Sequence, residues 1–264
     1  FNTAADEDAL RGASCALHLL HTFPSRAMLA DALAQYLAAQ QWRRVLVLHG
    51  ESSADAHWHS AFARAARRFG LKVTSTQSFR LTADPRQREL ANVRLLTGRD
   101  RDHDVVAVLD SDGEFARGVP FATQLPRPVV GAAGLVALAW HPQWERHGGP
   151  QLARRFAKLA RRPMRGQDWA AWMAVRAIAQ SLVEQPNSTL AQQRQALRSG
   201  AMSLDGFKGR ALSFRPWDGQ LRQPVFLGTS EGVTAVAPVE GVLHPTEVLD
   251  TLGVDAAEST CQRR

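Results

Sequence analysis

The sequence predicts an α/β protein built on a mostly parallel sheet. Three observations carry this. Between Arg43 and Phe79 the chain reads RRVLVLHG, then ESSADAHWHSAFARAARRFG, then LKVTSTQSF. The first and last runs are strand-like, and the middle one is helical. Farther on, HDVVAVLD is a second fully apolar strand-like run, again preceded by a helical stretch. Then RPVVGAAGLVALAW supplies two short strands around Gly131 and Gly134. Strands alternating with helices through short joints form βαβ units, whose parallel pairing needs a right-handed crossover.

Each element has a local reason. Ser25 offers a hydroxyl cap to a helix from Arg26 to about Gln40, with Leu29, Leu33, Tyr36 and Leu37 on one face. In the next helix Trp58, Phe62, Ala65 and Phe69 recur at helical spacing, opposite Arg64, Arg67 and Arg68. Gly70 stands where a left-handed helix end is wanted. LTADPRQREL is a polar connection, followed by a short helix from Arg88 to Thr97. From Gly149 to about Gly200 the pattern is helical with no strand-like run. GRALSFRPWDGQLRQPVFLG then reads as a hairpin turning at Asp218-Gly219, and VTAVAPV as a further strand. The tail from Gly241 to Arg264 is mostly irregular.

Composition narrows the function classes. The 264 residues are 45% hydrophobic and 22% charged, an ordinary globular balance. No run of about 18 apolar residues is present, so no transmembrane segment is expected. The chain opens at Phe1 and reads as a processed or truncated product. The net charge of +7 comes largely from arginine. Arg64, Arg67, Arg68, Arg154, Arg155 and Lys158 fall on helix faces read as solvated, and no nucleic-acid motif accompanies them. Nucleic acid is therefore not an expected partner. The two cysteines, Cys15 and Cys261, are too far apart for a CxxC motif or a zinc knuckle. They are compatible with two reduced thiols, or with one disulfide made in an oxidising compartment.

In open α/β sheets ligands bind beyond the carboxyl ends of strands. The loop from His49 to Ala54, with Ser53, is one such place. The turn Asp110-Ser111-Asp112-Gly113-Glu114 is another. Its alternating acids suit a hard cation, but the spacing and final glutamate of an EF-hand are missing. His57-x-His59 and His18-x-x-His21 lack a third ligand at a known spacing, so no metal site is expected. Gly228-Thr229-Ser230-Glu231-Gly232 matches G-x-S-x-G, yet a strand follows where a nucleophile elbow needs a helix. It reads as a hairpin turn, and a hydrolase using Ser230 is the distant alternative. Asn187-Ser188-Thr189 reads as a helix cap, and Trp140, Trp144, Trp169 and Trp172 as either core or pocket wall.

The order of motifs resembles the periplasmic ligand-binding proteins of branched-chain amino acid ABC transporters. FNTAADEDALRG, then His21-Thr22 and SRAMLADALAQYL, then a strand ending in His49 carry the early part. Phe207-Lys208-Gly209, followed by Phe214 and Asp218-Gly219-Gln220, carries the late part. LLHTFPSRAMLADALAQYL and FRPWDGQLRQP add a likeness to the subgroup associated with PQQ-dependent alcohol oxidation.

The resemblance implies a type I periplasmic binding fold of two lobes joined by hinge strands. Lobe 2 would comprise residues 23–140 and 209–264. A partial lobe 1 would comprise residues 1–22 and 141–208, with its sheet upstream of Phe1 and apolar helix faces left exposed. The function implied is delivery of a small ligand to the membrane permease of an ABC importer in the periplasm. It involves no enzymatic step and no cofactor. The alternative is a sensing domain of the same fold that signals. The family's ligand positions fall at Ala4, Ala5 and Asp6 on one lobe, and at Ser111 and Asp112 on the other. The position that often holds a glutamate for an ammonium falls at Ala132 and Ala133, beside Gly134. No acid is present there, so a neutral or anionic, alcohol-like ligand is expected, with Trp140 as an apolar wall. In an exported protein of this type Cys15 and Cys261 are expected to be bridged, since Cys15 precedes the hinge and the tail can return to it.

Overall fold

Ser25 does cap the first helix: its hydroxyl accepts the Met28 amide at 3.1 Å and starts α1 (Arg26–Ala39). The structure, a computed structural model, describes residues 1–241 and 243–261. Within it α1 is buried around most of its circumference, not along one stripe, because it lies between α2 and the strands β5, β9 and β10 introduced below. β1 (Arg44–His49) follows, with Val45 to Leu48 fully buried. α2 (Ser53–Arg68) starts from a capping box in which Ser52 and Asp55 exchange hydrogen bonds. Gly70 ends that helix in the left-handed region at φ +67°.

β2 (Lys72–Ser78) pairs parallel to β1. The expected helix from Arg88 to Thr97 is instead two pieces. A 3-10 helix spans Pro85–Ala91, and α3 (Val93–Gly98) restarts from Asn92, whose side chain accepts the Leu95 amide. β3 (Val105–Leu109) and β4 (Val129–Gly131) complete a parallel sheet in the order β2-β1-β3-β4. The three runs expected to be sheet neighbours are therefore adjacent, with Val47 opposite both Thr76 and Ala107. One face of this sheet packs on α1 and α2 through Phe62, Ala65 and Leu33. The other packs Leu46, Val106 and Val108 against Leu96 and Phe115.

After β5 (Val136–Leu138) come three helices, α4 (Gly149–Ala160), α5 (Gly166–Glu184) and α6 (Leu190–Arg198). The last starts at Thr189, whose hydroxyl accepts the Gln192 amide. A meander follows of β6 (Leu204–Asp205), β7 (Ala211–Phe214) and β8 (Leu221–Arg222). The expected hairpin at Asp218-Gly219 joins β7 to β8, with Phe214 opposite Leu221. β9 (Val225–Gly228) pairs antiparallel with both β5 and β10 (Val233–Ala237). The G-x-S-x-G stretch is the β9–β10 hairpin turn, closed by Thr229 N–H to Gly232 O at 3.0 Å. Trp140, Trp169, Met173, Phe214 and Phe226 form a separate core beneath α4 to α6. α5 leaves a second apolar stripe, Val175, Ile178 and Leu182, exposed.

Of the irregular tail expected from Gly241 to Arg264, Val242 and residues 262–264 lie outside the described residues. The rest is held by buried ion pairs. Arg64 and Arg68, expected on a solvated face, instead reach back to Asp31, which is fully buried and also accepts the Gly253 amide at 2.8 Å. Asp250 accepts from Arg215 and Arg222. Cys15 and Cys261 are bridged, with Cα atoms 5.6 Å apart, as expected. Among the described residues no helix is long and apolar enough to cross a membrane.

Candidate functional site

A cavity of about 350 Å³ opens beyond the carboxyl end of β3. The β3–β4 edge supplies Leu109, Asp110, Ser111, Gly131 and Ala132. The amino-terminal turn supplies Ala4 and Asp6, and α5 supplies Gln167 from its first turn. Leu29 and Leu33 of α1, with Trp58 of α2 and Phe23, make the apolar wall. Four other depressions lie elsewhere on the surface, such as the groove between Gln185 and Ser199.

The geometry is set by backbone constraints. Gly131 has φ +106°, and a Cβ there would meet Val108 O at 2.3 Å, so β4 approaches β3 only with glycine at this point. The Asp55 carboxylate accepts the amides of Ser52 at 3.2 Å and Ser111 at 2.7 Å, joining the start of α2 to the β3 turn. Burial pushes the Asp55 carboxyl up, but its bonds from Ser52 and Ser111 outweigh this and hold it below the usual range. A Cβ on Gly50 would meet Asp55 Oδ2 at 2.3 Å, so glycine is needed beside this carboxylate. Asn2 organises the opposite rim, its Oδ1 accepting the amides of Ala4 at 3.2 Å and Ala5 at 2.9 Å.

The charged residues lining the cavity are Asp6 and Asp110. Asp6 pairs with Arg26 at 2.6 Å. Burial raises its pKa, with Arg26 pulling the other way. Asp110 is 8% exposed and accepts the Ala116 amide at 2.8 Å. Burial raises its pKa too, opposed by that amide and reinforced by Asp112. The Arg26 guanidinium lies 5.5 Å from the centre of the Trp58 ring.

The cavity brings together Ala4, Asp6 and Ser111 of the ligand residues expected from sequence, with Asp110 of the same turn and Ala132 of the expected ammonium position beside them. Ala5 sits behind the rim, its carbonyl accepting from Arg11 at 2.9 Å. Asp112 is exposed and accepts the Glu114 amide at 2.8 Å. Ser53 is the exposed first residue of α2. Ala133 packs on the core behind the sheet, and Gly134 turns at φ +69° toward Val129. Trp140 is away from the cavity, stacked on Trp169 at 6.2 Å in the core beneath α5. Lining residues not anticipated include Phe23, Leu29, Leu33, Trp58, Val136 and Gln167. Helical periodicity had placed Leu33 and Trp58 only on inward faces, and nothing in the sequence points Gln167 here. Among the described residues no three His, Cys, Asp or Glu side chains converge as cation ligands.

No protein-family model and no curated protein matches this sequence. Solved structures do match. A leucine-, isoleucine-, valine-, threonine- and alanine-binding protein from Brucella ovis, in a closed conformation, superposes with a TM-score of 0.72 at 14% identity, covering 100% of this chain and 73% of its own. An amino acid ABC transporter substrate-binding protein from Pseudomonas fluorescens Pf-5 gives 0.71 at 12% identity, over 97% and 73%. A solute-binding protein of an R. palustris ABC transporter, in complex with benzoate, gives 0.69 at 13%, over 98% and 73%. The chain therefore has the mixed α/β fold of the type I periplasmic binding proteins of ABC transporters, the branched-chain amino acid-binding type among them.

Proposed function

We propose that this protein is an extracytoplasmic solute-binding protein that delivers a small ligand to the membrane permease of an ABC importer. The observation that carries this reading is the cavity at the carboxyl end of β3, walled by apolar side chains and faced by Ala4 and Asp6 on one side and Ser111 on the other. Proteins of the same fold bind amino acids and benzoate. The Cys15–Cys261 bridge fits an oxidising compartment such as the periplasm. A binding role without turnover fits Ser230, which sits in an exposed turn with its hydroxyl donating to Glu231 at 3.0 Å.

In this reading residues 1–22 and 141–208 belong to one lobe, and residues 23–140 and 209–264 to the other. Closure brings Ala4, Asp6 and Gln167 toward Ser111 and Ala132 across the ligand. Gln223 supports a hinge at the crossings, since its amide donates to Thr22 O at 2.8 Å. The test is tryptophan fluorescence of the intact protein against a panel of small solutes, with each mixture assayed for product. Saturable one-to-one binding with no product is expected, along with docking of the loaded protein on a permease encoded beside it. Turnover of a bound solute contradicts the reading, and binding without permease docking favours a sensor of the same fold.

A further inference from the structure

The cavity presents acids and few free amides. The amides of Ala4 and Ala5 both donate to Asn2 Oδ1. The Ser111 amide donates to Asp55 at 2.7 Å. Those of Gly131 and Ala132 donate to Leu135 O at 3.0 Å and Val108 O at 2.8 Å. A ligand carboxylate finds these five backbone amides already engaged, which leaves it the Gln167 side-chain amide on the α5 side, and burying an anion on so few donors is costly. No lysine or arginine is among the lining residues, while Asp6 and Asp110 both are.

We propose that the cavity selects a small organic cation, a protonated amine carried on an apolar body. This inference rests on the reading of the cavity as the ligand site. Asp6 is already neutralised by Arg26, which leaves Asp110 as the acid whose burial is least compensated. Both carboxyls are held above their usual range by burial, so each gains from an added positive charge. Trp58 and Phe23 offer aromatic surface, and Trp58 already accommodates one cation near its face. Leu29, Leu33 and Val136 suit the hydrocarbon part. This reverses the sequence-based preference for a neutral or anionic ligand. That preference rested on the missing acid at Ala132, whereas Asp110 supplies an acid one strand away.

Calorimetry of the intact protein with benzylamine, benzyl alcohol and benzoate, three probes of similar shape and different charge, decides it. Benzylamine is expected to bind at least about tenfold more tightly than the alcohol, with benzoate weakest. Asp110→Asn, which keeps an acceptor for the Ala116 amide, is expected to weaken benzylamine by about tenfold, and to weaken it more than it weakens the alcohol. The comparison of the three probes on the unaltered protein stands even if that variant unfolds. Alcohol or benzoate binding as tight as amine binding overturns the charge assignment. If that binding is lost in Ala132→Trp, the cavity remains the ligand site. Failure of all three probes contradicts the cation inference and the cavity reading together.

Discussion

The Asp55 carboxylate accepts the Ser111 backbone amide at 2.7 Å. This one bond fastens the amino end of α2 to the turn after β3, and so holds one rim of the cavity in place. It also uses up a donor that an anionic ligand would need. Asp55 thus links the capping of a helix to the chemistry of the site.

Asp55→Ala removes the cap partner of Ser52 and leaves the Ser111 amide without its acceptor. A loss of about 1 to 3 kcal/mol is expected, read as a lower urea midpoint. The unaltered protein adds a pH signature. The folded-state pKa of Asp55 is depressed, so its contribution is present above the ordinary aspartate value of about 4 and is lost as pH falls through the lower folded value. Acid titration of the variant is expected to lack that component.

Cys15 and Cys261 close a loop with a sequence separation of 246. In the chain-entropy view such a bridge contributes about 5 to 6 kcal/mol. The double variant Cys15→Ser, Cys261→Ser is expected to melt well below the unaltered protein. Thiol titration of the denatured, unreduced protein should find no free thiol.

Lys208 is buried, with its ammonium 3.6 Å from the centre of the Trp169 ring and bonded to Gln223 Oε1 at 2.8 Å and Pro224 O at 3.0 Å. Burial pushes its pKa well below the ordinary lysine value. Between the two values the unfolded chain binds more protons than the folded one. Stability should therefore rise with pH until the ordinary value, about 10, is reached. Lys208→Met is expected to flatten that rise in urea unfolding measured between neutral and alkaline pH. An unchanged slope would show that Lys208 is not its source.

How far the sequence was legible depended on the range of the forces involved. The parallel sheet was readable because β1 and β3 hold apolar runs rich in valine and leucine, and because the ends of α1 and α2 carry their own caps and stops. Ser111 was reachable through the rule that sheets bind ligands at strand ends, and Ala4 and Asp6 through the resemblance to a known family. Leu33, Val136 and Gln167 were not, since three distant elements bring them to one cavity. Trp140 was assigned to the site by its nearness in sequence. The chain beyond β5 instead turns it into the core beneath α5. Asp31 shows the same limit from the other side. Its partners Arg64 and Arg68 looked like surface charges, because helical periodicity cannot show that a second helix will bury an acid against them.

The central claim is that a small solute occupies the cavity between Asp6 and Ser111. Native mass spectrometry of the protein isolated from the cells that make it tests this most directly, run beside Ala132→Trp, a variant that places an indole on the cavity wall. The expected result is one small molecule per chain on the unaltered protein. Ala132→Trp should carry none while unfolding at a similar urea concentration. An equal load on both proteins, or none on either, would contradict the account.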